Sequence, residues 1–320
     1  MPRFRLLSAA LLAAGLPLAA FASPTHGEAS FTGPLVTPAV NTLPAGTLNV
    51  EPYLTHTSER GYYENDGGRH RERPIYRSWG IALPAIYGVT DSLSVQLTLT
   101  GTRVSGGGLH SDGLRLGDST VSLLQRLKAP EADGSGLVVA VSLAQRLATG
   151  RYDETENNPL NGIGSGANRT SLAVGAQQLR WLANGHALRW RSRVAWSPAP
   201  PRVRLHSVSV YGTNQGFDGS AHAGQAWSAS FATEYVLDAR WVLVGEAIWN
   251  RSGRTTITDN HANPTRTAFR HPSSHDISLA PAVEYHVSPT MGLIAGVQFT
   301  VAGRNRADYV APQVALNMVF

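Results

Sequence analysis

The stretch ALRWRSRVAWSP, residues 187–198, alternates two kinds of side chain. Arg189, Arg191 and Arg193 occupy every second position, and the residues around them include Trp190 and Trp196. Successive side chains of a β-strand point to opposite faces, so this stretch as a strand has one basic face and one apolar, aromatic face. Such a strand needs water on one side and an apolar environment on the other.

The first residues predict export. Two arginines precede a run of Leu and Ala over residues 6–19, which is followed by Ala20, Phe21 and Ala22. A basic start, a short apolar run and a small-x-small site are typical of a secretory signal peptide. We therefore assign residues 1–22 to a signal peptide that is cleaved after Ala22. The apolar run is too short for an anchoring helix, and no Cys follows it to carry a lipid.

The composition does not suit a soluble domain. The chain has 32 Gly, seven Trp and ten Tyr, and only 15% of its residues are charged. The absence of Cys excludes a disulfide scaffold and thiol catalysis. The 27 basic residues nearly balance the 22 acidic ones, and no basic cluster with stacking aromatics is present, so we expect no nucleic-acid partner. No nucleotide-binding or energy-coupling motif occurs, and we expect no cofactor.

Alternating segments recur along the chain after the signal peptide, and no long helical period competes with them. We predict about twelve strands, at 47–57, 76–89, 93–103, 116–128, 137–149, 170–181, 187–197, 225–237, 241–251, 275–287, 291–302 and 308–320.

The connections between these strands alternate in length. Short turns such as VTDS (89–92) alternate with long polar connections such as 150–169 and 198–224. Short turns at one end and long loops at the other are typical of an outer-membrane barrel with periplasmic turns and extracellular loops. Residues 203–211 also read as a strand, but a further strand would make the count odd, so we place them in the long loop. We predict an all-β transmembrane antiparallel barrel over residues 47–320.

Aromatic residues fall near the predicted strand ends, as expected for girdles at the two membrane interfaces. They are Trp181, Trp241 and Tyr285 near the short turns, and Trp227 and Trp249 near the long loops. The chain closes on YVAPQVALNMVF, in which apolar residues alternate up to Phe320. This pattern resembles the assembly signal of bacterial outer-membrane barrels. We expect contacts with outer-membrane lipid and, through Phe320, with the barrel-assembly machinery, and we expect a monomer.

Charged residues lie opposite the apolar face of several strands, so they are predicted to point into the lumen. Basic residues gather on one arc of the wall and acidic residues on the rest. We assign the substrate path or lumen lining to Arg126, Arg146, Arg189, Arg191, Arg193, Glu51, Glu234, Glu246 and Glu284. No catalytic or metal-binding residue is assigned.

Two interpretations of the lumen arginines stay open. They either pair with carboxylates on neighbouring strands, for example with Glu234, and so fill the barrel, or they bind solutes. Free guanidinium groups suit carboxylates and phenolates and stack on aromatic rings. A water-containing lumen removes the cost that such charges would carry in a dry protein core.

Residues 23–46 precede the first strand. Their second part, SFTGPLVTPAVNTLPAG (30–46), contains Pro34, Pro38 and Pro44 and does not fit a regular strand. This proline-rich part either trails in the periplasm or lies in the lumen as a plug. Its apolar residues need shelter from water, which favours the lumen.

Four stretches carry a resemblance to a known family. They are FTGPLVTPAVNTLPAGTLNVEPYL (31–54), PAIYGVTDSLSVQL (84–97), LGDSTVSLLQRL (116–127) and LATGRYD (147–153). In this order they resemble the family described as the MetA-pathway of phenol degradation. The resemblance implies an outer-membrane barrel that is associated with the breakdown of aromatic compounds and helps hydrophobic or aromatic substrates to enter. It carries over no catalytic residue.

These observations favour a channel for passive uptake of small hydrophobic, aromatic or anionic solutes, and not an enzyme. Two alternatives remain. An outer-membrane hydrolase or deacylase needs a clustered Ser/His/Asp-type group, whereas most of the eleven His stand singly in predicted loops. A surface-interaction barrel would use its long loops to bind a partner.

Overall fold

The computed structural model describes residues 29–71, 75–131, 134–156, 158–260 and 267–320. The predicted signal peptide and its cleavage site lie outside the described residues. Twelve antiparallel strands form a closed ring. In chain order they are β1 (Leu48–Val50 and Tyr53–Tyr63), β2 (Arg77–Thr90), β3 (Leu93–Gly106), β4 (Ser119–Lys128), β5 (Gly136–Leu147), β6 (Arg169–Trp181), β7 (Ala187–Ser197), β8 (Ala226–Val236), β9 (Trp241–Ser252), β10 (Ser274–Leu279 and Ala282–Ser288), β11 (Met291–Arg304) and β12 (Arg306–Val319).

The ring closes between its first and last strands. Asn49 of β1 pairs with Val319 of β12, and β1 also pairs with β2. The predicted all-β barrel of about twelve strands is therefore confirmed. β1 and β10 are each interrupted next to a proline, Pro52 and Pro281, which has no N–H to give to a ladder. Among the residues that the structure describes, no helix is long and apolar enough to cross a membrane.

Alternation sorts the side chains of the wall into two faces. On β2, Trp79, Ile81 and Leu83 are exposed on the outer face, and Trp79 is 52% exposed. On the inner face of the barrel, Leu35 packs with seven buried wall residues: Ala187, Val236, Val242, Val244, Ala282, Ile294 and Ala315. The outer face thus presents an apolar surface to a lipid solvent.

Aromatic rings pair across neighbouring strands near both ends of the wall. Trp241 and Tyr285 lie near the short turns with ring centroids 4.7 Å apart, and Trp196 and Trp227 lie near the long loops with centroids 6.2 Å apart. Amphipathic rings at these two levels suit the two membrane interfaces.

Four short strands form a second antiparallel sheet at the long-loop end, which we call the cap. They are Val203–Leu205, Gly219–His222, Thr255–Asp259 and Thr267–His271. Buried side chains of Ala167, Val203, Leu205, Ala221 and Ile257 make its own core. Residues 203–211 are therefore not a barrel strand, in agreement with the prediction. Residues 203–205 are nevertheless extended, because Val203 and Leu205 pack into the core of the cap.

The first and third strands continue beyond their predicted ends at the long-loop side. β1 runs to Tyr63, although residues 58–75 were predicted as a loop, and β3 runs to Gly106. These extensions were not predicted because they have no apolar face. Above the membrane both faces of a strand meet water, so the apolar alternation that reveals a strand stops while the hydrogen-bonded ladder continues.

Candidate functional site in the barrel lumen

The N-terminal segment, residues 29–46, lies inside the ring at the short-turn end. Val40 is buried against Val138 and Ala140 of β5, and Leu35 packs on β7 to β12. The segment leaves the lumen beside the first turn, where Gly46 donates a backbone hydrogen bond to Gly88 of 2.8 Å. Its three prolines keep it irregular, so its backbone donors need partners other than a sheet.

Two lumen carboxylates supply those partners. The Glu284 carboxylate accepts hydrogen bonds from the backbone N–H groups of Thr32 (2.6 Å) and Gly33 (3.2 Å). The Glu246 carboxylate accepts from Val36 (3.0 Å) and Thr37 (2.7 Å). Charge-assisted bonds of this kind are about twice as strong as neutral ones. Both glutamates therefore hold the N-terminal segment.

Arg189 and Glu234 form an ion pair between β7 and β8. They are direct cross-strand partners, and the guanidinium donates from Nε to Oε2 at 2.6 Å and from Nη2 to Oε1. Glu234 is 0% exposed. The same guanidinium carbon lies 3.8 Å from the centroid of the Phe31 ring. This arginine is thus occupied by a carboxylate on one side and by the N-terminal segment on the other.

Arg191 and Arg126 also contact the N-terminal segment. Arg191 is 6% exposed and donates to the carbonyl oxygen of Thr37 at 3.3 Å. Arg126 donates from Nη1 to Oδ1 of Asn41 at 3.0 Å. Both guanidinium groups therefore donate hydrogen bonds to acceptors of the N-terminal segment.

Arg193 is placed differently from the other two arginines of β7. Its one hydrogen bond in the described part of the chain goes to Oγ of Ser142 at 3.3 Å. It faces a cavity of about 290 Å³, whose other walls include Asn41, Ser94 and Gln96. A charged group with a single weak neutral partner beside an open cavity is free to bind an anion.

A second cavity of about 480 Å³ adjoins the first, and the two share Gln96 and Thr98 of β3. It lies between the N-terminal segment and the wall of β1, β2, β3, β11 and β12. Its lining includes Glu51, which stands in the interruption of β1, together with Gln298 and Gln313. The lumen is therefore filled where the N-terminal segment packs on β8 to β10 and open beside β1 to β3.

Arg146 lies at the long-loop end, below the cap. Its Nε is 3.5 Å from Oδ2 of Asp118, and its direct cross-strand partner is Arg169. Tyr211 lies close to both arginines and donates a hydrogen bond of 2.6 Å to the carbonyl of Ser165. Burial raises the pKa of the Tyr211 phenol, and the two positive charges oppose that rise. Arg169 was not among the predicted lumen residues, because its strand was predicted to start one residue later.

The nine predicted lumen residues thus fall into three groups. Arg126, Arg189, Arg191, Glu234, Glu246 and Glu284 contact one another or the N-terminal segment. Arg193 and Glu51 face the cavities, Arg191 also lines the larger cavity beside its contact with Thr37, and Arg146 stands below the cap. A direct contact with a solute stays a prediction for each of them.

Comparison with known families gives a match over most of the chain. The family described as "Putative MetA-pathway of phenol degradation" matches residues 72–311. The chain belongs to this family. The matched range contains eleven of the twelve barrel strands in whole or in part and leaves the N-terminal segment outside.

Solved structures with a similar fold are outer-membrane proteins. The COG4313 outer membrane channel from Pseudomonas putida F1 superposes with a TM-score of 0.66 at 16% identity, covering 89% of this chain and 100% of that one. The translocator domain of autotransporter NalP from Neisseria meningitidis gives a TM-score of 0.45 at 10% identity, with 87% and 90% covered. The TodX monoaromatic hydrocarbon channel gives 0.39 at 8%, with 87% and 90% covered. The first likeness shows that the chain has the β-barrel fold of that protein. Among curated proteins, none matches the chain.

Proposed function

We propose that the protein is an outer-membrane channel through which small aromatic or anionic compounds pass down their concentration gradient. The observation that carries this proposal is the pair of adjoining cavities, about 480 and 290 Å³, beside the N-terminal segment. Ligand-sized cavities in proteins span roughly 300–1,000 Å³, so these spaces suit a one-ring compound. The family description and the channel fold support the same function.

The walls of the cavities suit amphipathic solutes. Gln96, Thr98 and Gln313 offer neutral hydrogen-bonding groups, whereas Pro38 and Ile86 offer apolar contact. Arg193 supplies a planar guanidinium that binds a carboxylate or phenolate with paired hydrogen bonds. A solute with one ring and one acidic group meets a partner for each of its parts.

The N-terminal segment narrows this route in our proposal. It fills the side of the lumen where Glu234, Glu246, Glu284 and Arg189 lie, and leaves the polar wall of β3 free. Solutes then pass between the segment and the wall. Arg189 and Arg191 hold the segment, while Arg193 contacts the solute.

The experiment is a bilayer recording with benzoate as the probe. The refolded chain is placed in a planar bilayer under a sodium benzoate gradient, and the benzoate to sodium permeability ratio is taken from the reversal potential. We expect Arg193→Gln to lower this ratio several-fold. Arg180→Gln is the matched control, because Arg180 is exposed near the short-turn end and its side chain donates to Gln178 instead of facing the cavities.

Two results would contradict the proposal. An unchanged ratio in Arg193→Gln would remove Arg193 from the solute path. A barrel that passes no benzoate, even after deletion of residues 23–45, would exclude a channel for such solutes. The outer-membrane enzyme and the surface-interaction barrel would then be the alternatives to test.

A further inference from the structure

A groove rich in arginine lies at the long-loop end of β1 and β2. It has a volume of about 460 Å³ and is lined by four arginines, Arg60, Arg69, Arg71 and Arg77, and by Ser58, Glu59, His70 and Ile75. Ser58 and Arg77 are cross-strand partners. Alternation places Arg77 on the same face as Trp79 and Ile81, which is the outer face of the barrel. The groove therefore opens on the membrane side, above the apolar belt.

The groove has a surplus of positive charge. Arg60 and Arg69 share the single carboxylate of Asp308, which accepts from Arg60 at 2.9 Å and from Nε of Arg69 at 2.5 Å and is fully buried. In the chain as described, Arg71 and Arg77 have no ion-pair partner. Asp308 thus holds two of the four guanidinium groups, and the four arginines outnumber the two carboxylates of the groove, Asp308 and Glu59.

A fifth arginine extends the groove along the wall. Arg103 of β3 is exposed and is the cross-strand partner of Trp79, so it shares the outer face with Arg77. Residues that face each other diagonally across neighbouring strands lie within reach of long side chains. No carboxylate is paired with Arg103 in the described ranges either.

An apolar groove continues down the same wall. It has a volume of about 540 Å³ and is lined by exposed side chains that include Leu54, Ile81, Leu83 and Leu99. Leu54 is the partner of Ile81, as Ser58 is of Arg77, so the two grooves are four residues apart on β1. Four residues of a strand span about 13 Å. The basic groove thus lies at headgroup depth and the apolar groove at acyl-chain depth.

We propose that these two grooves together bind one phosphorylated lipid of the outer leaflet. Its phosphate groups lie among Arg71, Arg77 and Arg103, and one acyl chain lies in the apolar groove. Arginine forks match the geometry of phosphate oxygens, and clusters of basic residues beside a membrane surface select anionic headgroups. The continuity with the apolar groove favours a lipid over a free phosphate ion.

The test compares lipid binding between two variants of equal charge. The first is Arg71→Gln, Arg77→Gln and Arg103→Gln, which leaves Arg60 and Arg69 to hold Asp308. The control is Arg251→Gln, Arg254→Gln and Arg270→Gln, three exposed arginines at the long-loop end on the other side of the barrel. Both variants remove exposed side chains without ion-pair partners in the described part of the chain, so both are expected to fold.

The probe is bis-phosphorylated lipid A, with phosphatidylcholine and inorganic phosphate as comparison ligands. The refolded full chain in detergent micelles is titrated with each probe, and retained lipid is counted by native mass spectrometry. We expect lipid A to bind in preference to phosphatidylcholine, and the first variant to lose affinity on the order of a hundredfold. The control variant is expected to change by less than about twofold.

Three results would overturn the proposal. An equal loss in both variants would reduce the effect to diffuse charge attraction. Competition by millimolar inorganic phosphate, with the same arginine dependence, would make the groove a site for free anions. Equal binding of lipid A and phosphatidylcholine by the unaltered chain would leave the arginines without a role.

Discussion

Val40 of the N-terminal segment packs over Gly175 of β6. A Cβ atom on Gly175 would lie 2.8 Å from Cγ2 of Val40 and 3.2 Å from the carbonyl oxygen of Ser192. The missing side chain is what lets the segment reach the wall at this level. We expect Gly175→Val to displace the segment and to raise single-channel conductance several-fold in planar bilayers. Gly245→Ala is the control, because its nearest contact, Oγ1 of Thr233, would be a tolerable 3.6 Å away. Equal conductance in both variants would show that the segment does not limit flow.

The carboxylates of Glu246 and Glu284 offer a second way to release the segment. Together they accept hydrogen bonds from the backbone of Thr32, Gly33, Val36 and Thr37. Bonds to a charged group contribute about 1.5–3 kcal/mol, and an amide retains only part of that. The double variant Glu246→Gln, Glu284→Gln is therefore expected to expose the segment to proteases while the barrel stays folded. The measurement is the rate of cleavage within residues 29–46 in vesicles. Glu64→Gln, at an exposed carboxylate, should leave that rate unchanged, and a slow rate in all three proteins would contradict the prediction.

The ion pair of Arg189 and Glu234 is expected to be structural. Removing one partner of a buried pair costs about 3–5 kcal/mol, because the other charge is left without compensation. Arg189→Gln should cost more than Glu234→Gln, since Glu234 is fully buried while Arg189 retains 14% exposure. The double variant should recover part of the loss. Urea unfolding in phospholipid vesicles, followed by tryptophan fluorescence, measures each free energy of unfolding.

An exposed pair provides the comparison for this cycle. Arg115 and Asp112 lie 2.9 Å apart and both reach solvent. Pairs of this kind contribute about 0–1 kcal/mol, so Arg115→Gln should change the free energy of unfolding by less than about 1 kcal/mol. Additive effects of the two single substitutions at Arg189 and Glu234 would exclude the proposed coupling.

We expect a substitution in the core of the cap to destabilise the cap without destabilising the barrel. Ile257 is fully buried in the core of the cap, and replacement of such a residue by Ala costs about 2–5 kcal/mol. Ile257→Ala should speed proteolysis between residues 198 and 224 while the thermal unfolding of the barrel stays unchanged. Leu109→Ala, at a half-exposed residue of the short strand Leu109–His110 that pairs with β3, is the control. A lower unfolding temperature of the whole barrel would show instead that cap and barrel form one cooperative unit.

The barrel strands were predictable because lipid and lumen impose alternation on each of them. β7 was predicted at 187–197, as observed, and β9 ends one residue beyond its prediction. Where lipid and lumen no longer impose this alternation, the sequence does not predict the strand ends. The extensions of β1 and β3 above the membrane have no apolar face, and the cap strands are three to five residues long. Their pairing joins residues 203 and 221, or 220 and 258, which no local pattern connects.

The lumen was predictable in its residues but less so in their partners. The alternation of side chains along the strands was enough to predict that Arg189 and Glu234 face each other on adjacent strands, as they do. The bonds of Glu246 and Glu284 to a proline-rich segment more than 200 residues away depend on how that segment folds back. The distinct position of Arg193 depends on a cavity, which is a property of the whole ring. Sequence alone therefore left the choice between structural pairing and solute contact open for each arginine.

The hydrogen bond between Thr32 and Glu284, 252 residues apart, implies an order of folding events. The carboxylates that receive the N-terminal segment belong to β9 and β10, which are among the last strands to be synthesised and exported. Contacts of such long sequence separation form late in folding, because their closure entropy is high until other pairings have shortened the loop. We therefore expect the N-terminal segment to settle last, after a stage in which the lumen is wider than in the final state.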